Sequence, residues 1–224
     1  ANVGLAKALN EGLRHARFAL VARFDSDDVA EPDRFARQLA AFSGGGVDVL
    51  GGCADAAVLG HGGKGKTTLC EAMLYIAGAS DRLGRVADGN TVLDFDSEEK
   101  RRKSSVSSAI AALEWDNTKL NIIDAPGLFD FEGGAAEAVR AAEAVLIVTS
   151  AGSGVDVGTE KAFRAAEKKG AAKFFAVTKT DSDHRNFYKT FDALKEVYGN
   201  KLCPTIIPYM EGNITKCYVN LMTG

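Results

Sequence analysis

The run Gly60-His61-Gly62-Gly63-Lys64-Gly65-Lys66-Thr67-Thr68 fits the spacing G-x-x-x-x-G-K-[ST] at each fixed position. Glycines let successive backbone N–H groups turn inward around a phosphate, and a helix that follows adds the positive end of its dipole. In that setting Lys66 can reach the β- and γ-phosphates, and the Thr67 hydroxyl can ligate Mg²⁺. Two later clusters suit the same ligand. Asp124-Ala125-Pro126-Gly127 offers a carboxylate that can hold the ion through water, and the Gly127 N–H for a γ-phosphate. Thr178-Lys179-Thr180-Asp181 offers an aspartate able to accept from N1 and N2 of guanine, a donor pair that adenine lacks, with the Lys179 stem free to lie over the base. The plain alternatives are a glycine-rich turn, a Pro-Gly turn and a solvated charge pair. Each stays open for its cluster taken alone; the order of all three favours a guanine nucleotide.

These residues need a scaffold that brings three loops to one edge. Apolar runs at Ala56–Leu59, Asn121–Ile123, Val145–Val148 and Phe174–Val177 read as strands. Between them, Lys66–Ala77, Ala135–Ala142 and Glu160–Lys169 read as helices. Strands alternating with helices imply βαβ units, a parallel sheet and right-handed crossovers. Ligands of such sheets bind beyond the carboxyl ends of the strands, where all three clusters fall. The expected fold is α/β, a P-loop NTPase-like, mostly parallel sheet flanked by helices, with an N-terminal βα-containing fragment packed alongside.

From about residue 54 onward the chain resembles the GTP-binding domain of elongation factor G, its paralogues and the related ribosome-protection factors. Beyond the three clusters, Asp88-Gly89-Asn90-Thr91-Val92, Asp94-Phe95-Asp96 and Glu98-Glu99 resemble that family's first switch segment. Val155-Asp156-Val157-Gly158-Thr159-Glu160-Lys161-Ala162 resembles the helix before the guanine motif. The resemblance implies GTP or GDP and Mg²⁺ as ligands, and a GTPase as the enzyme class if the chain is active. It also implies the ribosome as the family's partner, although the domains that reach into the ribosome are not expected here.

Four departures bear on the chemistry. Leu128 stands where the family places a histidine after D-x-P-G, so no catalytic residue is assigned. Either hydrolysis is slow without help or another group orients the water. Arg102-Lys103-Ser104-Ser105 replaces R-G-I-T, which makes Ser105 the third implied Mg²⁺ ligand beside Thr67 and Asp124. Thr178 opens the guanine motif where asparagine is usual. The S-A-[KL] loop is not visible, and Cys203 to Leu221 resembles the start of the family's inserted subdomain, so the domain over 53–224 is expected to be truncated there.

Residues 1–52 read differently, as a helix–strand–helix–strand fragment. Asn10-Glu11-Gly12-Leu13, Ala22-Arg23-Phe24-Asp25-Ser26-Asp27-Asp28 and Pro32-Asp33-Arg34-Phe35-Ala36-Arg37-Gln38-Leu39 resemble the middle of a family 2 glycosyltransferase of the GT-A fold. Asp25 and Asp27 could then hold Mn²⁺ or Mg²⁺ against a sugar-nucleotide diphosphate. The other reading is an acidic cluster opening the helix after Pro32. The join falls near Cys53, and a chimera is the simplest account. Three functions follow: guanine-nucleotide binding with slow hydrolysis, sugar-nucleotide binding at Asp25 and Asp27, and an inactive recombined α/β scaffold.

Composition narrows the classes. The 224 residues are 46% hydrophobic and 25% charged with net charge −3, so they carry no electrostatic footprint for DNA or an anionic membrane. Cys53, Cys70, Cys203 and Cys217 lack C-x-x-C spacing, and are expected as mostly buried thiols in a reducing compartment. The longest apolar run, Ala144 to Val148, is too short to span a bilayer, and no signal pattern opens the chain. A cytoplasmic piece of a longer protein is expected. His15, His61 and His184 read as structural or solvated. The charge run Glu98-Glu99-Lys100-Arg101-Arg102-Lys103 is expected to be disordered until a γ-phosphate orders it.

Overall fold

The structure, a computed structural model, describes residues 53–115, 118–180, 186–199, 202–211 and 214–221. The chain divides into two units, Ala1–Gly51 and Gly52–Gly224, and every described residue belongs to the second. Expectations for Asp25, Asp27, His15 and the fragment over 1–52, and for Asp181 and His184, lie outside the described residues.

Five strands form one sheet. β1 (Cys53–Leu59), β3 (Thr118–Asp124), β4 (Ala144–Ser150) and β5 (Ala172–Thr178) run parallel, and β2 (Ala109–Trp115) lies antiparallel to β3 in the order β2-β3-β1-β4-β5. The register aligns Val58 with Asp124 and Ser150 with Thr178. The ends of β1, β3 and β5 are thereby brought to one edge, with the three predicted clusters attached.

Strand alternation sorts the core into two faces. Ala57, Leu59, Ile123, Val145 and Ile147 point to one face, against Ala138 and Val139 of α3 (Glu132–Ala141) and Ala162 and Ala166 of α4 (Val157–Lys169). Val58, Ile122 and Val148 point to the other, against Cys70 and Leu74 of α1 (Lys66–Ile76). Between α1 and β2 lies α2 (Ser97–Arg102). After β5, α5 (Phe187–Tyr198) ends with Tyr198 stacked on Phe163 at 4.2 Å between ring centres. A separate hairpin, β6 (Ile206–Glu211) with β7 (Ile214–Asn220), closes the described chain. Among the described residues no helix is long and apolar enough to cross a membrane.

The predicted strands are present with longer bounds and the predicted helices with ends shifted by one to three residues; β2, α2, α5 and β6 were not predicted. β2 is alanine-rich and sits at the end of the sheet with Ile110 and Trp115 exposed, so neither apolar periodicity nor β-propensity marks it. α5 was passed over, although Asn186 caps it by accepting from the Tyr188 and Lys189 N–H groups. The charge run is a correction: it is folded as α2 rather than disordered. Asp96 and Glu99 form a capping box at its start, and Glu98 bonds Arg101 and Arg102 along its surface. The cysteines also differ from expectation. Cys70 is buried, whereas Cys203 and Cys217 are exposed.

Candidate nucleotide site

The glycine-rich loop leaves β1 at Gly60 and enters α1 after Gly65. Gly60 has φ 141°, and a Cβ there would lie 2.3 Å from the Val148 carbonyl oxygen, so the first fixed position admits only glycine. Gly127 closes the other side. Its carbonyl accepts from the Gly62 N–H at 2.9 Å, and a Cβ on it would fall 2.2 Å from Lys66 Nζ. The second cluster is therefore pressed directly against the first.

Lys66 is only 6% exposed, and its ammonium donates to the His61 carbonyl at 3.3 Å. Burial pulls its pKa down, opposed chiefly by the charge of Asp124. A buried cation aimed into a glycine cradle is set to meet an anion.

Beside it lies a chain of hydroxyls and carboxylates. Thr67 Oγ1 donates to Asp124 Oδ2 at 2.6 Å. Ser105 Oγ donates to Asp94 Oδ1 at 2.7 Å. Thr67 Oγ1 and Ser105 Oγ stand 3.2 Å apart. Each hydroxyl has one proton, and each of these protons has a closer acceptor in a carboxylate. The two oxygens thus present lone pairs to the space between them. Asp124 is 1% exposed, and its Oδ1 is buried without a hydrogen bond. Burial pushes its pKa up to about 6, against the pull of the Thr67 hydroxyl and Lys66. Three oxygens short of protons in one buried place fit a hard divalent cation.

Thr178 and Lys179 come from the end of β5. The Thr178 hydroxyl lies 2.6 Å from the Lys64 carbonyl and 3.1 Å from that of Thr149. Lys179, at φ 56°, donates to the Gly63 carbonyl at 2.6 Å. Both therefore brace the glycine-rich loop. Lys64 itself pairs at 3.0 Å with Asp156, the residue that caps α4. Thr68, the third residue of α1, is exposed.

Leu128 is half-buried, facing Gly62, and brings no proton donor or acceptor to the site. His61 stands edge-on to Phe129 at 5.4 Å, with Nδ1 3.0 Å from the Gly62 carbonyl. Asp94 and Glu99 were named only within the stretch resembling the first switch segment, with no role assigned, and Glu71 was given none. All three are buried carboxylates.

Residues 53–218 match the model of the elongation factor Tu GTP binding domain. The chain belongs to that family. Residues 1–97 match the model of glycosyl transferase family 2, so residues 53–97 are matched by both models. Among similar proteins, the elongation factor G-like protein of Mycobacterium tuberculosis is 37% identical over 164 residues, 73% of this chain and 23% of that protein. Elongation factor G of Granulibacter bethesdensis is 32% identical over 151 residues, 67% of this chain and 22% of that protein. A solved protein of Thermus thermophilus superposes with a TM-score of 0.71 at 37% identity, over 75% of this chain and 25% of that one. The chain spans less than a quarter of the length of these two curated relatives. Its elongation factor G-like GTP-binding domain has the P-loop GTPase fold, a mostly parallel sheet flanked by helices.

Proposed function

We propose that this domain binds GTP and GDP together with Mg²⁺, and hydrolyses GTP slowly. The observation that carries the reading is the convergence of Thr67 Oγ1, Ser105 Oγ and the buried, unpartnered Asp124 Oδ1, with both hydroxyl protons closest to carboxylates. When bound there, Mg²⁺ neutralises phosphate charge and orients the phosphates. Lys66 and the N–H groups of Gly60 through Thr68 cradle the β- and γ-phosphates. The Gly127 N–H meets the γ-phosphate. Thr178 and Lys179 hold the loop's outer turn, and Asp181 reads the guanine edge. Slow turnover follows from Leu128, because an isobutyl side chain can neither orient a water nor move its proton.

The test is titration with fluorescent GDP and a GTP analogue in Mg²⁺, with ATP and a UDP-sugar as competitors. Saturable binding that GTP displaces and ATP does not is the expected result. Lys66→Ala should weaken it by about 30-fold or more, since truncating one partner of a buried charge pair costs about 2–5 kcal/mol. Displacement by ATP as readily as by GTP overturns the guanine assignment; an unchanged Lys66→Ala affinity overturns the phosphate cradle.

A further inference from the structure

Two fully buried glutamates have no place in the reading above. Glu71 is 0% exposed and Glu99 is 1% exposed. Both spend their carboxylates on backbone N–H groups of the segment that carries Asp94 and Ser105. Glu71 Oε1 accepts from Val92 N–H at 2.7 Å and from Leu93 N–H at 3.0 Å. Glu99 Oε1 accepts from Val106 N–H at 2.9 Å and Ser107 N–H at 3.0 Å, while its Oε2 accepts from Asp96 N–H at 3.1 Å.

The placement is specific. Asp94 lies between Leu93, held by Glu71, and Asp96, held by Glu99. Ser105 lies between Val106, held by the Glu99 side chain, and Ser104, whose N–H donates to the Glu99 carbonyl at 3.2 Å. Glu71 is four residues past Thr67 on α1, so both side chains leave the same helical face one turn apart. One rigid helix thus carries the Thr67 hydroxyl and the acceptor that fixes the segment opposite it. Carboxylates that bond backbone N–H groups make strong, short contacts, and these bonds together define where the Ser105 hydroxyl stands.

We infer that Glu71 and Glu99 are positioning residues that hold Asp94 and Ser105 against Thr67 and Asp124, on the metal side of the site. The inference rests on the Mg²⁺ reading above. It differs from a general role in stability, because it concerns the metal and not the phosphate cradle.

The test measures nucleotide affinity in the full chain as a function of Mg²⁺, and again in EDTA. In Glu99→Gln an amide N–H₂ must replace one of two accepting oxygens, so one set of backbone donors meets another donor. The Mg²⁺ midpoint should rise about 10- to 100-fold, the range found when groups that orient metal ligands are altered. Affinity in EDTA should stay within about twofold of wild type. Glu71→Gln keeps an acceptor for Val92 and Leu93 and should behave as wild type, whereas Glu71→Leu should shift the midpoint as Glu99→Gln does. A second measurement is hydrogen exchange with Mg²⁺ and a GTP analogue bound: the amides of Val106 and Ser107 should be protected in wild type and lose that protection in Glu99→Gln. Equal protection in the two chains overturns the inference. So does a folded Glu99→Gln with an unchanged midpoint, or one that loses affinity equally with and without Mg²⁺. Wild-type binding without Mg²⁺ dependence instead overturns the reading on which the inference rests.

Discussion

Asp124 is a metal-site residue whose chemistry depends strongly on its surroundings. Its pKa is about 6 in the folded chain against an ordinary 3.8, the largest cause being burial. Between those two values the folded state holds a proton that the unfolded state has released. The stability of the free chain therefore falls as pH rises through that window. A shift of this size corresponds to roughly 3 kcal/mol at about 1.36 kcal/mol per pH unit. Asp124→Asn removes the titration, so denaturant unfolding in EDTA should show wild type losing stability relative to the variant between about pH 4 and pH 7. Parallel pH profiles for the two chains would refute the assignment. Residues like Asp124, Lys66 and Gly127 were legible in sequence because their chemistry fixes both type and spacing. The contacts of Glu71 and Glu99 were not, since they act on backbone N–H groups up to 22 residues away, and backbone carries no sequence signature. Asp94 was named within the switch resemblance, but its contact was hidden for a related reason: its partner Ser105 is eleven positions on, beyond any helical or strand period.

At the scale of elements, α4 joins the phosphate loop to the body of the sheet. Asp156 caps it by accepting from the Thr159 N–H at 2.9 Å and the Thr159 hydroxyl at 3.0 Å, and also pairs with Lys64. Burial raises its carboxyl pKa, but those partners outweigh it and hold the group below the ordinary value. Asp156→Ala should cost about 1 kcal/mol, the usual loss for an N-cap, and urea unfolding at neutral pH measures it directly. A cost near zero would mean that the cap is replaced by water. The parallel strands were readable because each carries an apolar run, most fully buried in β4 and least in the edge strand β5, where Phe174 is exposed. β2 is covered on one face only, and its run Ala109-Ile110-Ala111-Ala112-Leu113 has too little branched or aromatic content to announce a strand.

At the scale of the whole molecule, binding and folding are linked, because a ligand held only by the folded chain stabilises it. Mg²⁺ with GDP at one hundred times the dissociation constant should add about 2.7 kcal/mol. For a chain of this size that corresponds to a Tm increase of roughly 5–10 °C. Differential scanning fluorimetry would show it, and ATP at the same concentration should leave Tm in place; equal shifts for the two nucleotides would remove the case for guanine selectivity. The polarity of the sheet has one more consequence. Cys53 and Leu59 are the two ends of β1, separated by about 20 Å at ~3.3 Å per residue. The chemistry hangs entirely from the far end. The near end is where foreign sequence can be spliced in with the least effect on the phosphate loop, and a parallel sheet with its ligand loops on one edge is for that reason a forgiving acceptor of exchanged amino-terminal segments.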